Sequence, residues 1–302
     1  MRKLLIPIVL VAGIVAGFVR AFEWKWAWDT QLWLMTSWHP ASLALLAFCL
    51  VVVAIIWLAL RGENKKTFAP SDEDFSRVRA LVWVDVPAAL ALLAGAWLDI
   101  SSYLDMQSSS KPNSGVSMLI FAILSAFAAV CVIVVSTASA RGALRRSLAI
   151  YRLTPVIWGC FWLLRNISGY AINPVPLSFL YDMLAIAFTL LALYSSAGFF
   201  FFRANTRNIL LYGAFGVFFS SVALLGSGFY WLLWNGLPMD NLAWSDVARF
   251  TFALLHLLAL VYAHGGKRRE KSSAQGRPGP MYEPYTYPYA KLHNHNHNHR
   301  DS

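Results

Sequence analysis

The sequence predicts an all-α protein, a polytopic transmembrane helix bundle of about eight spans with both termini in the cytoplasm. Hydrophobic residues make up 58% of the chain and charged residues only 13%, whereas an average soluble domain is about 25% charged. Apolar runs recur along the chain, close to the length of about 20 residues that crosses a bilayer. A soluble protein with buried helices would need far more polar surface than this composition supplies.

The apolar runs divide the chain into a membrane-embedded bundle over residues 1–264 and a tail over residues 265–302. The tail is rich in Pro, Gly and Tyr and lacks the apolar content to bury a core, so we predict that it is disordered. The eight predicted spans cover about residues 4–19, 41–60, 80–98, 116–135, 151–169, 177–200, 209–234 and 244–263.

The first apolar run follows Arg2 and Lys3 and allows two interpretations. A basic start, an apolar run and a passable cleavage site at residues 19–21 are also typical of a signal peptide. The run is long for a signal peptide, however, and Gly13 and Gly17 form a small-xxx-small face that lets helix backbones approach closely. We therefore expect a first helix that stays in the bundle.

Residues 23–40 form a segment that is unusually rich in tryptophan. A tryptophan satisfies its apolar ring and its N–H together at the headgroup level of a membrane. We therefore interpret the segment as an interfacial anchor, with a ligand-stacking platform as the alternative. Its tryptophans are Trp24, Trp26, Trp28, Trp33 and Trp38.

Lysine and arginine residues indicate which side of the membrane each loop faces. Twenty of them lie at the termini, in the loops on the same side and in the tail, and four lie on the opposite side. Because cytoplasmic loops are enriched in Lys and Arg, both termini are predicted to be cytoplasmic. The four residues assigned to the outer side are Arg20, Lys25, Lys111 and Arg249.

The chain carries no signal for a nucleic-acid partner or a cofactor. Its net charge of +10 comes from short basic clusters between the apolar runs and in the tail, which is how orientation signals are distributed. Cys49, Cys131 and Cys160 fall in different runs without CxxC spacing, which favours packed thiols over a metal site. Haem would need two histidines at one height on facing helices, and only His256 is predicted to lie at mid-membrane.

The tail ends in an alternating His-Asn tract that is a weak candidate for a metal site. Imidazole is a suitable ligand for several transition metals. The alternative is a soluble low-complexity end, because a His-rich tract is only a compositional hint. The four histidines are His293, His295, His297 and His299.

We single out four ionisable residues inside the predicted spans, because a charge there is costly and usually faces the bundle interior. Arg165 and Asp182 lie near the outer ends of consecutive spans, at matched depths of about 7–8 Å, which predicts an ion pair. Asp85 and His256 lie at similar depths near the inner surface. We predict that these two face one another, beside a kink at Pro87.

These two pairs form the candidate ligand-binding site. In the functional interpretation, Arg165 binds an anionic group and Asp182 positions its guanidinium for that contact. Asp85 and His256 then relay protons, since imidazole titrates near neutral pH. In the structural alternative, the first pair only pins two helices together. Asp85 then extends to the inner surface, and His256 donates to a backbone carbonyl.

Two classes of function follow from these observations. The first is small-molecule or ion binding or transport through a polar site within the bundle, and the second is a non-enzymatic sensor or accessory subunit of a membrane complex. Transport predicts water-accessible polar residues in several helices, whereas an accessory subunit predicts a dry interior and an exposed small-residue face such as Gly13 and Gly17. The predicted partners are the lipid bilayer and, in either class, a homo- or hetero-oligomer.

An enzyme is the less favoured class, and no catalytic residue is assigned. The chain contains no Walker loop and no HExxH or GxSxG constellation, the motifs by which common catalytic sites are recognised.

Three segments within residues 151–203 carry a family resemblance. They read LTPVIWGCFW at 153–162, NPVPLSFLYDMLA at 173–185 and ALYSSAGF at 192–199. Together they resemble a group of uncharacterised bacterial polytopic membrane proteins, in which an acidic residue occupies the position of Asp182. The resemblance implies a location in a bacterial plasma membrane and brings no known activity with it.

Overall fold

The computed structural model describes residues 2–29, 34–35, 39–61, 79–108, 115–141, 148–172, 176–198, 206–234 and 244–265. Within these residues, long helices form nearly all of the structure. A two-residue strand, β1 (Trp28–Asp29), follows the first helix and pairs antiparallel with β2 (Leu34–Met35). The helices are α1 (Arg2–Ala27), α2 (Pro40–Arg61), α3 (Arg79–Ser108), α4 (Val116–Ala140), α5 (Ala149–Ile172), α6 (Pro176–Ala197), α7 (Thr206–Trp234) and α8 (Trp244–Gly265).

Seven of these eight helices are long and apolar enough to cross a membrane. The remaining one, α5, carries Arg165 and Asn166 within its apolar run, which lowers its hydropathy. Cys49 and Cys131 are buried, Cys160 is exposed, and all three are free thiols. The predicted all-helical class is therefore confirmed for the described part of the chain, and the seven apolar helices are consistent with a multi-pass membrane protein.

Helix α7 is the central element of the bundle. It packs against α1, α6 and α8 and, over a shorter length, against α2. Helix α3 packs against α4 and α8, and α5 contacts α4 and α6. Small residues dominate the buried surface of α7, among them Gly213, Gly216 and Gly226, and they let its neighbours approach closely.

The close approach of α1 to α7 depends on the two glycines that the sequence singled out. A Cβ atom on Gly13 would lie 2.6 Å from Ser221 Cβ, and one on Gly17 would lie 2.7 Å from Leu225 Cβ. Both distances are too short for a real Cβ, so larger residues would push the helices apart. The predicted role of the Gly13–Gly17 face in helix packing is confirmed, and this face is buried within the chain rather than exposed.

Two helices extend well beyond the spans predicted from the sequence. Helix α1 ends at Ala27 rather than near residue 19, and α3 ends at Ser108 rather than near residue 98. The extensions draw polar residues into the bundle. Trp24, expected at the headgroup level, is only 6% exposed, so the interfacial interpretation is wrong for this residue.

Several predictions from the sequence lie outside the described residues. They concern Trp33 and Trp38, the side chain of Trp28 and the tail with its histidines. These remain predictions.

Candidate functional site

A histidine and an aspartate meet inside the bundle where α3 packs against α8. Nδ1 of His256 lies 2.8 Å from Oδ1 of Asp85, and the hydroxyl of Ser136 on α4 donates to the other carboxylate oxygen. All three residues are buried. The predicted contact between Asp85 and His256 is confirmed, and the three residues are called the His–Asp site below.

The sequence around Asp85 explains how α3 presents it. Asp85, Leu92 and Asp99 are all buried, and their spacing of seven residues places them along one face of the helix. Pro87 lies inside the same helix and removes one backbone N–H, which leaves the carbonyl of Trp83 without its helical partner. A carboxylate beside such a carbonyl is a polar site built into an otherwise apolar helix.

The imidazole of His256 has one nitrogen engaged and one available. Nδ1 meets Asp85, while Nε2 is buried and has no hydrogen-bond partner among the described residues. The ring stacks on Phe252, with centroids 5.5 Å apart and planes 8° apart. Since a histidine ring accepts or donates a proton at either nitrogen, this pair has the chemistry to bind a proton and to release it.

A layer of aromatic side chains continues from His256 toward the opposite end of α3. Phe252 packs against Trp158 at a centroid distance of 5.3 Å, and Trp158 packs against Trp162 at 5.0 Å. The indole N–H of Trp158 donates to Oγ of Ser125 over 2.9 Å. The buried indole N–H of Trp162 has no hydrogen-bond partner among the described residues.

A second polar group surrounds Asp99, fourteen positions after Asp85 and thus about 21 Å farther along the helix axis. Asp99 is fully buried, and its Oδ2 accepts from Arg249 on α8 and lies 3.3 Å from Nη1 of Arg165 on α5. Arg249 also bonds to Asp246, one helical turn earlier. Arg249 is 1% exposed, so its expected position in an outer loop is wrong.

The two guanidinium groups at Asp99 share an aromatic neighbour on α4. The Cζ atom of Arg165 lies 5.1 Å from the ring centre of Phe121, and that of Arg249 lies 4.8 Å from it. A guanidinium over an aromatic face is stabilised by the ring quadrupole. Four helices, α3, α4, α5 and α8, thus converge on Asp99.

The partner of Asp182 is Arg20 rather than Arg165. Nη1 of Arg20 on α1 lies 2.9 Å from Oδ1 of Asp182 on α6, and both side chains are buried. The predicted Arg165–Asp182 pair is therefore wrong. Helices α5 and α6 do touch, but these side chains point to different neighbours.

Arg20 is enclosed on several sides. Its Cζ atom lies 4.8 Å from the ring centre of Trp24 and 5.4 Å from that of Tyr181. A Cβ on Gly226 of α7 would lie 2.8 Å from Cδ of Arg20, so only a glycine leaves room for the side chain. Arg20 is fully buried, and its expected position outside the spans is also wrong.

Glu23 lies one turn after Arg20 and is fully buried as well. It interacts electrostatically with Arg20 and with His39 at the start of α2. The Ser42 hydroxyl on α2 lies near enough to stabilise Glu23 as a donor, but neither carboxylate oxygen makes a hydrogen bond of standard geometry among the described residues. A buried carboxylate in this state is costly unless a further positive charge is present.

The groups around Asp99 and Asp182 lie close enough to act on each other, since Asp246 interacts electrostatically with Asp182. Together they hold three guanidiniums and four carboxylates. We call them the charge cluster, which consists of Arg20, Glu23, Asp99, Arg165, Asp182, Asp246 and Arg249.

Sequence reasoning missed Arg20, Glu23, Asp99 and Arg249, although a signal for them exists. Gly13, Gly17, Arg20 and Trp24 follow one another at intervals of four, three and four residues, which is the spacing of a single helix face. Continuing the small-residue face of α1 would have placed Arg20 in the interior. The same step on α3 leads from Asp85 to Asp99.

The described residues also contain a small apolar cavity. It is too narrow to hold a water molecule and lies apart from both polar groups. Its lining residues are Ile6, Val9, Ala214, Val217, Leu258 and Val261. A polar solute therefore finds no hydrogen-bond partner in this cavity.

Comparison of the chain with protein-family models, with curated proteins and with solved structures found no match. The resemblance of residues 151–203 to bacterial polytopic membrane proteins therefore stays an expectation. Within the described part of the chain, no group of three or more His, Cys, Asp or Glu side chains is arranged to hold a metal ion. The function is therefore inferred from the geometry of the His–Asp site and of the charge cluster.

Proposed function

We propose that this chain is a multi-pass protein of a bacterial plasma membrane that binds and moves protons at the His–Asp site. The observation that carries the proposal is the buried contact of 2.8 Å between His256 and Asp85, with Nε2 of the same imidazole unpartnered among the described residues. Ionisable groups inside a membrane face the bundle interior and mark ion pathways and proton relays. Arg152 also interacts electrostatically with Asp85.

A proton suits this site better than a larger solute. The polar side chains of the His–Asp site contact one another directly, and the small cavity of the bundle is lined by aliphatic residues. A proton needs only a hydrogen-bonding atom at each step, whereas a small molecule needs a concave site with several convergent polar groups. The ion-binding part of the first hypothesis is therefore favoured over its small-molecule part.

An accessory subunit is the second candidate function. It predicts an exposed small-residue face for a partner helix, and the face formed by Gly13 and Gly17 is instead covered by α7. The polar groups in the interior also lie in several helices, which the accessory function leaves without a purpose. This candidate therefore ranks below proton binding.

We further propose that α5 is the eighth span and that both termini are cytoplasmic. α5 has 24 residues, which is long enough to cross a bilayer, and its Arg165 is held by the buried carboxylate of Asp99. Since Arg20 and Arg249 are buried in ion pairs, Lys25 and Lys111 remain as the basic residues of the outer side. This strengthens the charge asymmetry that predicts the orientation.

Proton movement is tested with the purified protein in lipid vesicles that contain a pH-sensitive dye. A pH gradient is imposed, and valinomycin with K⁺ removes the opposing electrical potential. We expect the wild-type protein to accelerate the internal pH change, and Asp85→Asn and His256→Gln to return the rate to that of protein-free vesicles. Ser102→Ala is the matched control, because its hydroxyl only donates to the carbonyl of Leu98 on the same helix.

Two results would overturn the proposal. One is a wild-type rate equal to that of protein-free vesicles in both directions of the gradient. The other is an accelerated rate that Asp85→Asn and His256→Gln leave unchanged. Folding of each variant is checked before reconstitution by its monodisperse elution in detergent, so that a loss of folded protein is not read as a loss of function.

A further inference from the structure

We propose a second site, in which Glu23 binds a small monovalent cation, either a proton or a sodium ion, between α1, α2 and α6. The site is separate from the His–Asp site, which lies between α3, α4 and α8. It therefore does not rest on the proposed function.

The first argument is the state of the buried polar atoms around Glu23. Its two carboxylate oxygens, Oγ of Ser42 and the hydroxyl of Tyr181 make no hydrogen bond of standard geometry among the described residues, although the Ser42 hydroxyl lies near enough to Glu23 to stabilise it as a donor. Glu23 and Tyr181 are 0% exposed and Ser42 is 1% exposed. Both Ser42 and Tyr181 interact with Glu23. Buried polar atoms in native proteins nearly always have a partner, so several unpartnered oxygens in one place point to a bound species.

The second argument is the charge of the surroundings. The described residues of the charge cluster supply three guanidiniums for four carboxylates. Arg20 is already engaged with Asp182 at 2.9 Å, and Arg249 is engaged with Asp99 and Asp246. One more positive charge would balance the cluster, and Glu23 is the carboxylate that has no ion pair within 4 Å among the described residues.

The chemistry of the site selects the ligand class. The available atoms are oxygens, which suit hard cations. A single missing charge and the neighbouring Arg20 disfavour a divalent ion, and no metal-binding group of three acidic, His or Cys side chains is present among the described residues. A proton and a sodium ion both neutralise one carboxylate, and they compete for it.

Five groups other than Ser42 face Glu23 or its neighbours and enter the pH dependence. Arg20 lies on α1, His39 precedes α2 and Cys49 lies within it, and Tyr181 and Asp182 lie on α6. A proton and a sodium ion compete for Glu23, so sodium binding is expected to be stronger at pH 8 than at pH 6.

The test is the thermal unfolding midpoint of the full-length protein in detergent, followed by its tryptophan fluorescence. Sodium chloride is titrated against choline chloride at constant ionic strength, at pH 6 and at pH 8. We expect a saturable rise of the midpoint with sodium that is larger at pH 8 and absent in Glu23→Gln. Ser102→Ala, on α3, is expected to respond as the wild type does.

The result also distinguishes the two cations. A midpoint that depends on pH but not on sodium, and that loses the pH dependence in Glu23→Gln but not in Asp85→Asn, assigns a proton to Glu23. A midpoint that responds to sodium and pH in the same way in the wild type and in Glu23→Gln overturns the proposal. If Glu23→Gln does not accumulate, Ser42→Ala replaces it. A weakened cation dependence in Ser42→Ala supports the site, and an unchanged one overturns it.

Discussion

The charge cluster and the His–Asp site lie at opposite ends of α3. Both bury carboxylates in an apolar bundle, but they stabilise them with different partners. In the charge cluster, each buried ion pair uses an arginine, which stays charged under all physiological conditions. In the His–Asp site, the partner of the carboxylate is a histidine, a side chain that can be neutral or charged.

This difference separates a structural role from a functional one. A carboxylate that pairs with a buried arginine stays ionised, because removing either charge leaves the other one buried without a counter-ion. A carboxylate that pairs with histidine tolerates the neutral state, since two neutral groups still share a hydrogen bond. We therefore expect the arginine-paired carboxylates of the charge cluster to hold the bundle together and the His–Asp site to bind and release protons.

The largest effect is expected from Arg20→Leu. The substitution removes the guanidinium that pairs with Asp182 and interacts with Glu23, so we expect the free energy of unfolding to fall by about 3–5 kcal/mol. The double variant Arg20→Leu with Asp182→Leu should recover part of this loss, although Glu23 remains. Thermal unfolding and the yield of monodisperse protein in detergent measure both effects. If the double variant is less stable than Arg20→Leu, the pair at 2.9 Å is not an energetic unit.

The two regions can be compared directly by replacing an aspartate with asparagine at each end of α3. Asp99→Asn leaves Arg249 and Arg165 without the charge that both contact, and we expect a loss of about 3 kcal/mol. Asp85→Asn keeps a side chain that can hydrogen-bond to His256, and we expect a loss of about 1 kcal/mol. Equal losses for the two variants would contradict the division into a structural and a functional region.

A packing substitution tests how far the charge cluster depends on the seating of α1 against α7. Gly17→Val places a side chain where a Cβ would already lie 2.7 Å from Leu225, and we expect a loss of about 1–3 kcal/mol. The matched control is Gly228→Ala on α7, where no atom lies within 4 Å of the added Cβ. Its unfolding temperature should stay the same or rise slightly. A loss at Gly228 as large as that at Gly17 would mean that helix flexibility, not the α1–α7 contact, explains the effect.

The smallest effect is expected from Arg165→Gln, which sharpens the comparison inside the charge cluster. Arg165 is 34% exposed and Arg249 only 1%. Water stabilises the freed charges at an exposed pair, so the loss should not exceed about 1 kcal/mol. A loss as large as that of Asp99→Asn would show that Arg165 is the main partner of Asp99. Chemical or thermal unfolding of the two variants under identical conditions gives the answer.

The sequence determined the class of the protein and one of its two pairings. Composition and run length predict a helical membrane bundle because the hydrocarbon core demands long apolar helices. The contact between Asp85 and His256 followed from matched depth, since a charged group in lipid seeks any partner at its own height. The Gly13–Gly17 contact followed from side-chain size alone, because small residues permit the closest helix packing.

Tertiary structure decided which charges meet at the other end of the bundle. Depth places Arg165, Asp182, Arg20 and Asp99 in one layer, but it does not say which helices are neighbours or which face each helix turns inward. Adjacent helices in sequence, α5 and α6, were predicted to share the pair. The long helix α1 instead reaches Asp182, and α3 reaches Arg165. Partner choice among several charges at one height depends on the rotation of every helix about its axis, which the packing of the whole bundle determines.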